Sequence, residues 1–272
     1  MFFKNCKMLL QPLNIVIIGT GNVAGHIAES FTKIKTLKLV QVFNHRKSKP
    51  ASAFAKKHGA PLIVNYKELD TTADLYIISV KDDAIAEVVK HLSGLMLKGL
   101  VVHTSGSIDL SVLKTASMQT GVYYPLQTFT KNNTIDWAAT PLLIEANTPK
   151  ALGMLKKIAN SISGTVKQVN SVTRLHLHVS AVFACNFTNA LYAAAFEMIE
   201  TNLSKKDTEL LKPIMRQSFL KLDVMSPKQA QTGPAMRNDK VVMTKHLSLL
   251  KSDKQLTAVY KLVSELIIKQ HI

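Results

Sequence analysis

The 272 residues carry 34 Lys+Arg against 18 Asp+Glu, a formal charge of +16, with 47% hydrophobic content and a mean hydropathy of +0.11. That balance excludes a disordered chain and describes a folded globular one, and no apolar run reads as long enough to span a bilayer. The lysines fall in ones and twos, as at Lys56-Lys57, Lys156-Lys157 and Lys205-Lys206, with no arginine-rich tract. Charge dispersed in this way reads as solvated surface and not as a specific nucleic-acid or membrane site.

Residues 1–10 are too short and too broken by lysine for a signal peptide, and read as a frayed extension. Cys6 in that extension and Cys185 in an apolar helix make no disulfide framework, so free thiols in a reducing cytoplasm are expected.

The first strand is Asn14-Ile-Val-Ile-Ile18, which runs straight into Gly19-Thr-Gly21-Asn-Val-Ala24 and then into helical spacing over residues 23–34. A strand, a tight glycine turn and a helix start are what hold a dinucleotide pyrophosphate. Gly19 makes the turn. Gly21 lets a phosphate reach backbone N–H groups, and Ala24 lets the helix lie close on the strand. The helix N-terminus adds partial positive charge for the anion.

The second strand, residues 39–43, ends in Asn44-His-Arg46-Lys-Ser48-Lys49. An NAD site places an acid about 20 residues past the glycines to accept from the ribose 2′-OH. No acid stands there. Arg46, Ser48 and Lys49 can bind a 2′-phosphate instead, which favours NADP(H); the alternative is a solvated basic turn.

Next come a helix over residues 51–58 and a short strand at 62–64. A buried strand over 74–80 leads to a helix capped by Asp82 and Asp83, and a further strand spans 100–103. A short helix over 109–118 and strands at 122–124, 142–145 and 166–169, with a helix near 149–161, complete the sheet. Strands alternating with helices imply an α/β, doubly wound, Rossmann-type parallel sheet.

After Ser171 no strand-like run appears. Residues 174–203 read as one long apolar helix, followed by amphipathic helices at 206–222, 240–251 and 254–269. A helix apolar on most faces must be buried. The expected organisation is a dinucleotide-binding domain over residues 1–170 and an all-helical substrate and dimerisation domain over 171–272. Its long helix would be covered by other helices or by a second copy in a homodimer.

Several polar residues could carry chemistry. His103 ends a parallel strand, where ligands of open sheets sit, and is followed by Thr104-Ser105-Gly106-Ser107. It reads as a proton donor, with Ser105 beside it and Thr104 among the cofactor residues. The alternative is a hydrogen-bonded structural histidine, with Ser107 or Asp109 as a plain helix cap. Tyr124 and Gln127 could hydrogen-bond a substrate, or belong to a turn set by Pro125.

His178, Asn186 and Asn189 are polar in an apolar helix. The eleven residues from His178 to Asn189 put them about 20° apart around a regular helix, on one face. They would meet a ligand or each other's neighbours in the core. Gly233 suits a left-handed turn and Pro234 a first helical position. Arg237 pairs with Asp239 or clamps an anionic substrate, and His246 lies nearby. No spacing of Cys and His suggests a metal.

In this order the segments Ile18–Ala24, Val80-Lys-Asp-Asp-Ala-Ile85, His103–Ser107, Tyr124-Pro-Leu-Gln-Thr-Phe129, His178 to Asn189 and Gln231-Thr-Gly-Pro-Ala-Met-Arg-Asn-Asp239 carry a resemblance. The chain resembles bacterial NADP oxidoreductases that join a Rossmann-like domain to a helical domain of unassigned function. Those proteins are relatives of pyrroline-5-carboxylate reductase in the 6-phosphogluconate dehydrogenase-like superfamily.

The resemblance implies NADP contacts at Gly19, Thr20, Gly21, Asn22 and Val23, with Asn44 and Arg46 near the 2′-phosphate and Val80 and Lys81 bordering the nicotinamide. It implies reduction of a small C=N or C=O compound, without naming one. Lys81 and Cys185 stand where such proteins commonly have Pro and Asn. Asp82 replaces the proline of the Val-Lys-Pro loop found in pyrroline carboxylate reductases. The other reading of the same residues is a regulator that binds NADP without turnover.

Overall fold

The computed structural model describes residues 11–131 and 133–271; the expected terminal extension and its Cys6 lie outside them. The chain divides into two compact units, Met1–Cys185 and Asn186–Ile272.

The first unit is built on an eight-stranded sheet in the order β3-β2-β1-β4-β5-β6-β7-β8. The strands are β1 (Leu13–Ile18), β2 (Leu37–Phe43), β3 (Leu62–Ile63), β4 (Leu75–Ile78), β5 (Leu100–His103), β6 (Thr120–Pro125), β7 (Leu142–Ala146) and β8 (Val166–Gln168). All pairings are parallel except β6 with β7. The expected parallel sheet is therefore interrupted at β7, which returns directly through the loop after β6 without a crossover helix.

Strand β1 is buried at Ile15, Val16, Ile17 and Ile18, and β4 at Leu75, Tyr76, Ile77 and Ile78. Such continuous apolar runs belong to strands covered on both faces. Helices α1 (Asn22–Thr32) and α4 (Pro149–Asn160) pack on one face, around Ile27, Phe31, Leu155 and Ile158. Helix α3 (Ile85–Leu92) covers the other through Ile85, Val88, Val89 and Leu92. Helix α2 (Lys49–Lys57) begins at Ser48, whose hydroxyl accepts from Ala51 N at 3.3 Å. Residues 109–118 do not form the expected helix; a single 3₁₀ turn, Leu110–Leu113, starts after Asp109, whose carboxylate accepts from Ser111 N.

From Ser171 the chain is helical. Helix α5 (Ser171–Ala181) continues through a π turn, Val182–Phe187, into α6 (Thr188–Asn202). The following segment is not one helix. A 3₁₀ stretch, Lys205–Leu211, gives way to α7 (Lys212–Leu220) at Pro213, which fits a first turn but not a helix interior. Helices α8 (Pro227–Ala230), α9 (Lys240–Leu250) and α10 (Lys254–His271) follow. Gly233 has φ +106°, as its turn requires, but Pro234 starts no helix. Asp239 caps α9 by accepting from Val242 N and makes no ion pair with Arg237, which is exposed.

Of the two covers expected for the long helix, the chain's own helices do not supply one: Ser171–Asn202 exposes Val172, Leu175, Val179, Phe183, Phe187 and Leu191, and by length and composition it could cross a membrane, with mean hydropathy 1.3. Among the described residues of the second unit, Thr208, Ala235 and Ser264 are the buried ones.

Candidate functional site

The glycine turn is formed as its residues dictate. Gly19 has φ +108°, and a β-carbon there would stand 2.2 Å from the Ser79 carbonyl oxygen, so only glycine fits. Its N–H donates to Phe43 O at 2.9 Å, tying the turn to β2. Gly21 is the residue before α1, is exposed, and has open space where a β-carbon would be. Helix α1 has no side-chain cap and no acid in its first turn. Its leading N–H groups and dipole therefore face an open cradle suited to a diphosphate. Ala24 is fully buried, which brings helix and strand together.

At the end of β2, the Asn44 amide donates to Arg46 O at 2.8 Å and so folds the basic turn. Arg46 is exposed with no acid beside it in sequence, and the Ser48 hydroxyl is engaged as the α2 cap. Beyond β4, Val80 is half-buried and Lys81 exposed. The Thr104 hydroxyl donates to Ser79 Oγ at 3.3 Å, which links the ends of β4 and β5.

Asp82 does not cap α3 through its side chain as expected. Its carboxylate accepts from Ser105 Oγ at 2.8 Å and Ser107 Oγ at 2.5 Å, latching the loop after β4 to the loop after β5. Ser105 is buried and also accepts from Ser107 N and Ile108 N, so this hydroxyl is committed to holding its loop.

His103 is fully enclosed, and burial followed by the Arg174 charge pushes its imidazole down to about 4. Its Nδ1 accepts from Ser105 N at 3.2 Å, so the neutral ring carries its proton on Nε2. A neutral, enclosed ring does not meet substrate, and the proton-donor reading of His103 gives way to the structural alternative.

A different histidine takes the open position. His178 of α5 is half-buried, and its Nδ1 lies 2.9 Å from the Tyr124 hydroxyl with the two rings edge to face. Burial pushes the phenol up to about 12, so it keeps its proton at neutral pH, and the His178 tautomer sets which of the two donates. Gly106 makes the arrangement possible: a β-carbon there would lie 2.6 Å from His178 Nδ1 and 2.9 Å from the Tyr124 ring.

The group that sequence reading missed underlies this pair. Arg174, one turn before His178, is 1% exposed. Its guanidinium pairs with Glu145 of β7 and donates to Ile108 O and, at 3.1 Å, to Ser171 Oγ. Glu145 also accepts from Ser171 N at 3.0 Å and Ser171 Oγ at 2.8 Å, and Leu110 N donates to Ser171 Oγ. One buried ion pair thus binds the start of α5 to the sheet and to the loop that carries Gly106. The available signal was a lone acid in an apolar strand and a lone arginine at an apolar helix start, neither of which names its partner.

The remaining predicted residues are not drawn into this cluster. Both ends of the Gln127 amide are used internally, Oε1 by Thr128 N and Nε2 by Thr140 Oγ1. Asn186 and Asn189 are exposed, and the π turn between His178 and Asn189 changes the angular step on which their common face rested. His246 is paired with Tyr260 at 2.9 Å. No group of three metal-ligating side chains occurs among the described residues.

Comparison with known proteins fits this geometry. Residues 14–105 match the family described as NADP oxidoreductase, coenzyme F420-dependent, and residues 140–267 match a domain of unknown function, DUF2520. A protein of Bacteroides fragilis, named as a putative NADP oxidoreductase, is 35% identical, with a TM-score of 0.88 over 96% of this chain and 99% of that one. The chain belongs to this NADP oxidoreductase family. NADP is the family's cofactor. The fold is shared more widely. An imine reductase from Myxococcus stipitatus, solved with NADP+, is 16% identical with a TM-score of 0.63 over 94% of this chain and 92% of its own. A pyrroline-5-carboxylate reductase from Coxiella burnetii is 17% identical with a TM-score of 0.55 over 96% and 98%. No curated protein matches the sequence.

Proposed function

We propose that this NADP oxidoreductase is a cytoplasmic reductase that uses NADPH to reduce a small carbonyl or imine metabolite. The observation that carries the reading is the open, uncapped first turn of α1 behind Gly19 and Gly21. Backbone N–H groups at Thr20, Gly21, Asn22 and Val23 would hold the diphosphate. Arg46, with Asn44 and Ser48 shaping its turn, would hold the 2′-phosphate, and Val80, Lys81 and Thr104 would border the nicotinamide. The cofactor supplies hydride when bound.

The chain supplies orientation and a proton. In the tautomer where the Tyr124 O–H donates to His178 Nδ1, His178 presents Nε2–H to the heteroatom of the substrate; as that proton leaves, the Tyr124 proton passes to Nδ1, and solvent reprotonates the phenolate. Calorimetric titration tests the cofactor half. NADPH should bind well above NADH, and Arg46→Ala should weaken NADPH about tenfold to a hundredfold through loss of a charge-assisted hydrogen bond. Equal binding of both dinucleotides, or none, removes the reading.

The same proposal includes a homodimer through the C-terminal helices. The apolar side chains along Ser171–Asn202 and the scarcity of buried residues in the second unit support it, because a helical unit without its own core needs a partner surface. The exposed polar groups Asn186, Asn189, Glu197 and Glu200 along that helix favour protein over lipid as the cover. Light scattering should report two chains per particle; a single-chain mass overturns this part.

A further inference from the structure

The loop after β6 reaches back to the glycine-turn helix. Its base is anchored: Leu126 N donates to Pro141 O at 2.9 Å, and Gln127 Nε2 donates to Thr140 Oγ1. Strand β6 lies three places from β1 in the sheet, yet Phe129 and Thr130 are fastened to the first turns of α1, which follows β1.

The Thr130 carbonyl oxygen is 2.9 Å from His26 Nε2, and Asn22 Nδ2 donates to Phe129 O at 3.4 Å. A carbonyl only accepts, so His26 carries its proton on Nε2. The Phe129 ring lies against His26 with centroids 5.3 Å apart, and Trp137 lies against Phe129 at 6.0 Å. His26 is 8% exposed, so its ring is held by the fold and not free to swing.

The chemistry here is specific. Two backbone carbonyl oxygens beside an anion cradle would repel a diphosphate. The Asn22 amide and the His26 N–H cover those oxygens with donors, leaving the α1 amides as the field that the anion meets.

We propose that residues 127–131 form a strap over the diphosphate end of the dinucleotide site, with His26 the positioning residue that fastens it and so sets how long the dinucleotide stays bound. The proposal rests on the NADP-binding reading above. A fastened strap slows departure more than arrival, because a covering loop must open before the ligand leaves.

The sequence has one tryptophan, Trp137, beside the strap, so quenching of its fluorescence by NADPH in a stopped-flow instrument reports both rates. In His26→Ala the dissociation rate should rise about tenfold, the weight of one hydrogen bond, with a smaller change in association. His26→Gln, which keeps a donor at the same reach, should return the rate toward wild type. Phe129→Ala removes the half-buried ring that packs on His26 and Trp137 while leaving the His26 hydrogen bond in place, and should speed dissociation in the same direction, so it decides the matter if His26→Ala fails to fold.

Unchanged dissociation in His26→Ala and Phe129→Ala, with NADPH still binding the wild type, overturns the strap and leaves the dinucleotide reading standing. No NADPH binding by the wild type overturns both.

Discussion

His178→Ala is expected to lower turnover of a small imine or ketone about 10²- to 10⁴-fold, the usual weight of a positioned general acid, while NADPH binds within about twofold of wild type. The split follows from geometry. His178 lies among Tyr124 and Gly106 at the carboxyl end of β6, whereas the proposed diphosphate contacts are backbone groups at the start of α1. Tyr124→Phe removes the hydroxyl and keeps the ring packing, so it should lower kcat less than His178→Ala and move the alkaline limb of the pH profile, where a general acid loses its proton. A ring that merely packs would leave that profile where it is. Turnover unchanged in His178→Ala excludes the pair from the chemistry, and loss of NADPH affinity in step with turnover makes it a cofactor contact instead.

The opposite result is expected at His103. Its ring is neutral and enclosed, so its place at a strand end reflects hydrogen bonding to Ser105 N and not proton supply. Strand-end position alone could not separate the two histidines, because burial depends on what later segments lay over the site. His178 arrives from α5, and its position against Tyr124 requires Gly106, a residue the sequence offers only as part of a Ser/Gly turn.

Local rules carried the sheet well: each expected strand is present, since β-branched apolar runs between polar turns have few other ways to bury themselves. The direction of β7 was not legible, because residues 126–141 look the same whether they cross over or turn back. The long helix was read as buried from composition alone. A single chain leaves its apolar face exposed, and the sequence says that a cover is needed without saying where it comes from. The π turn at Val182–Phe187 was likewise invisible to a regular helical repeat, and with it went the common face assigned to His178 and Asn189. Arg174 and Glu145 are 29 residues apart, and only the meeting of α5 with β7 makes them a pair.

That pair carries the second large effect. Glu145→Gln should destabilise the protein by about 3–5 kcal/mol, because it leaves the Arg174 guanidinium enclosed and without its counter-charge. The side-chain exposures, 1% for Arg174 and 16% for Glu145, decide the size: a surface pair would contribute about 0–1 kcal/mol. The carboxylate also accepts from Ser171 N, so the variant should fray the start of α5. Urea unfolding followed by circular dichroism reads the loss as a lowered midpoint. The double variant Glu145→Gln with Arg174→Met should be more stable than Glu145→Gln alone, since an apolar side chain of similar length has no charge to strand. A single variant within about 1 kcal/mol of wild type would mean that Ile108 O and Ser171 Oγ suffice for the guanidinium. The α5 anchor would then rest on hydrogen bonds and not on charge.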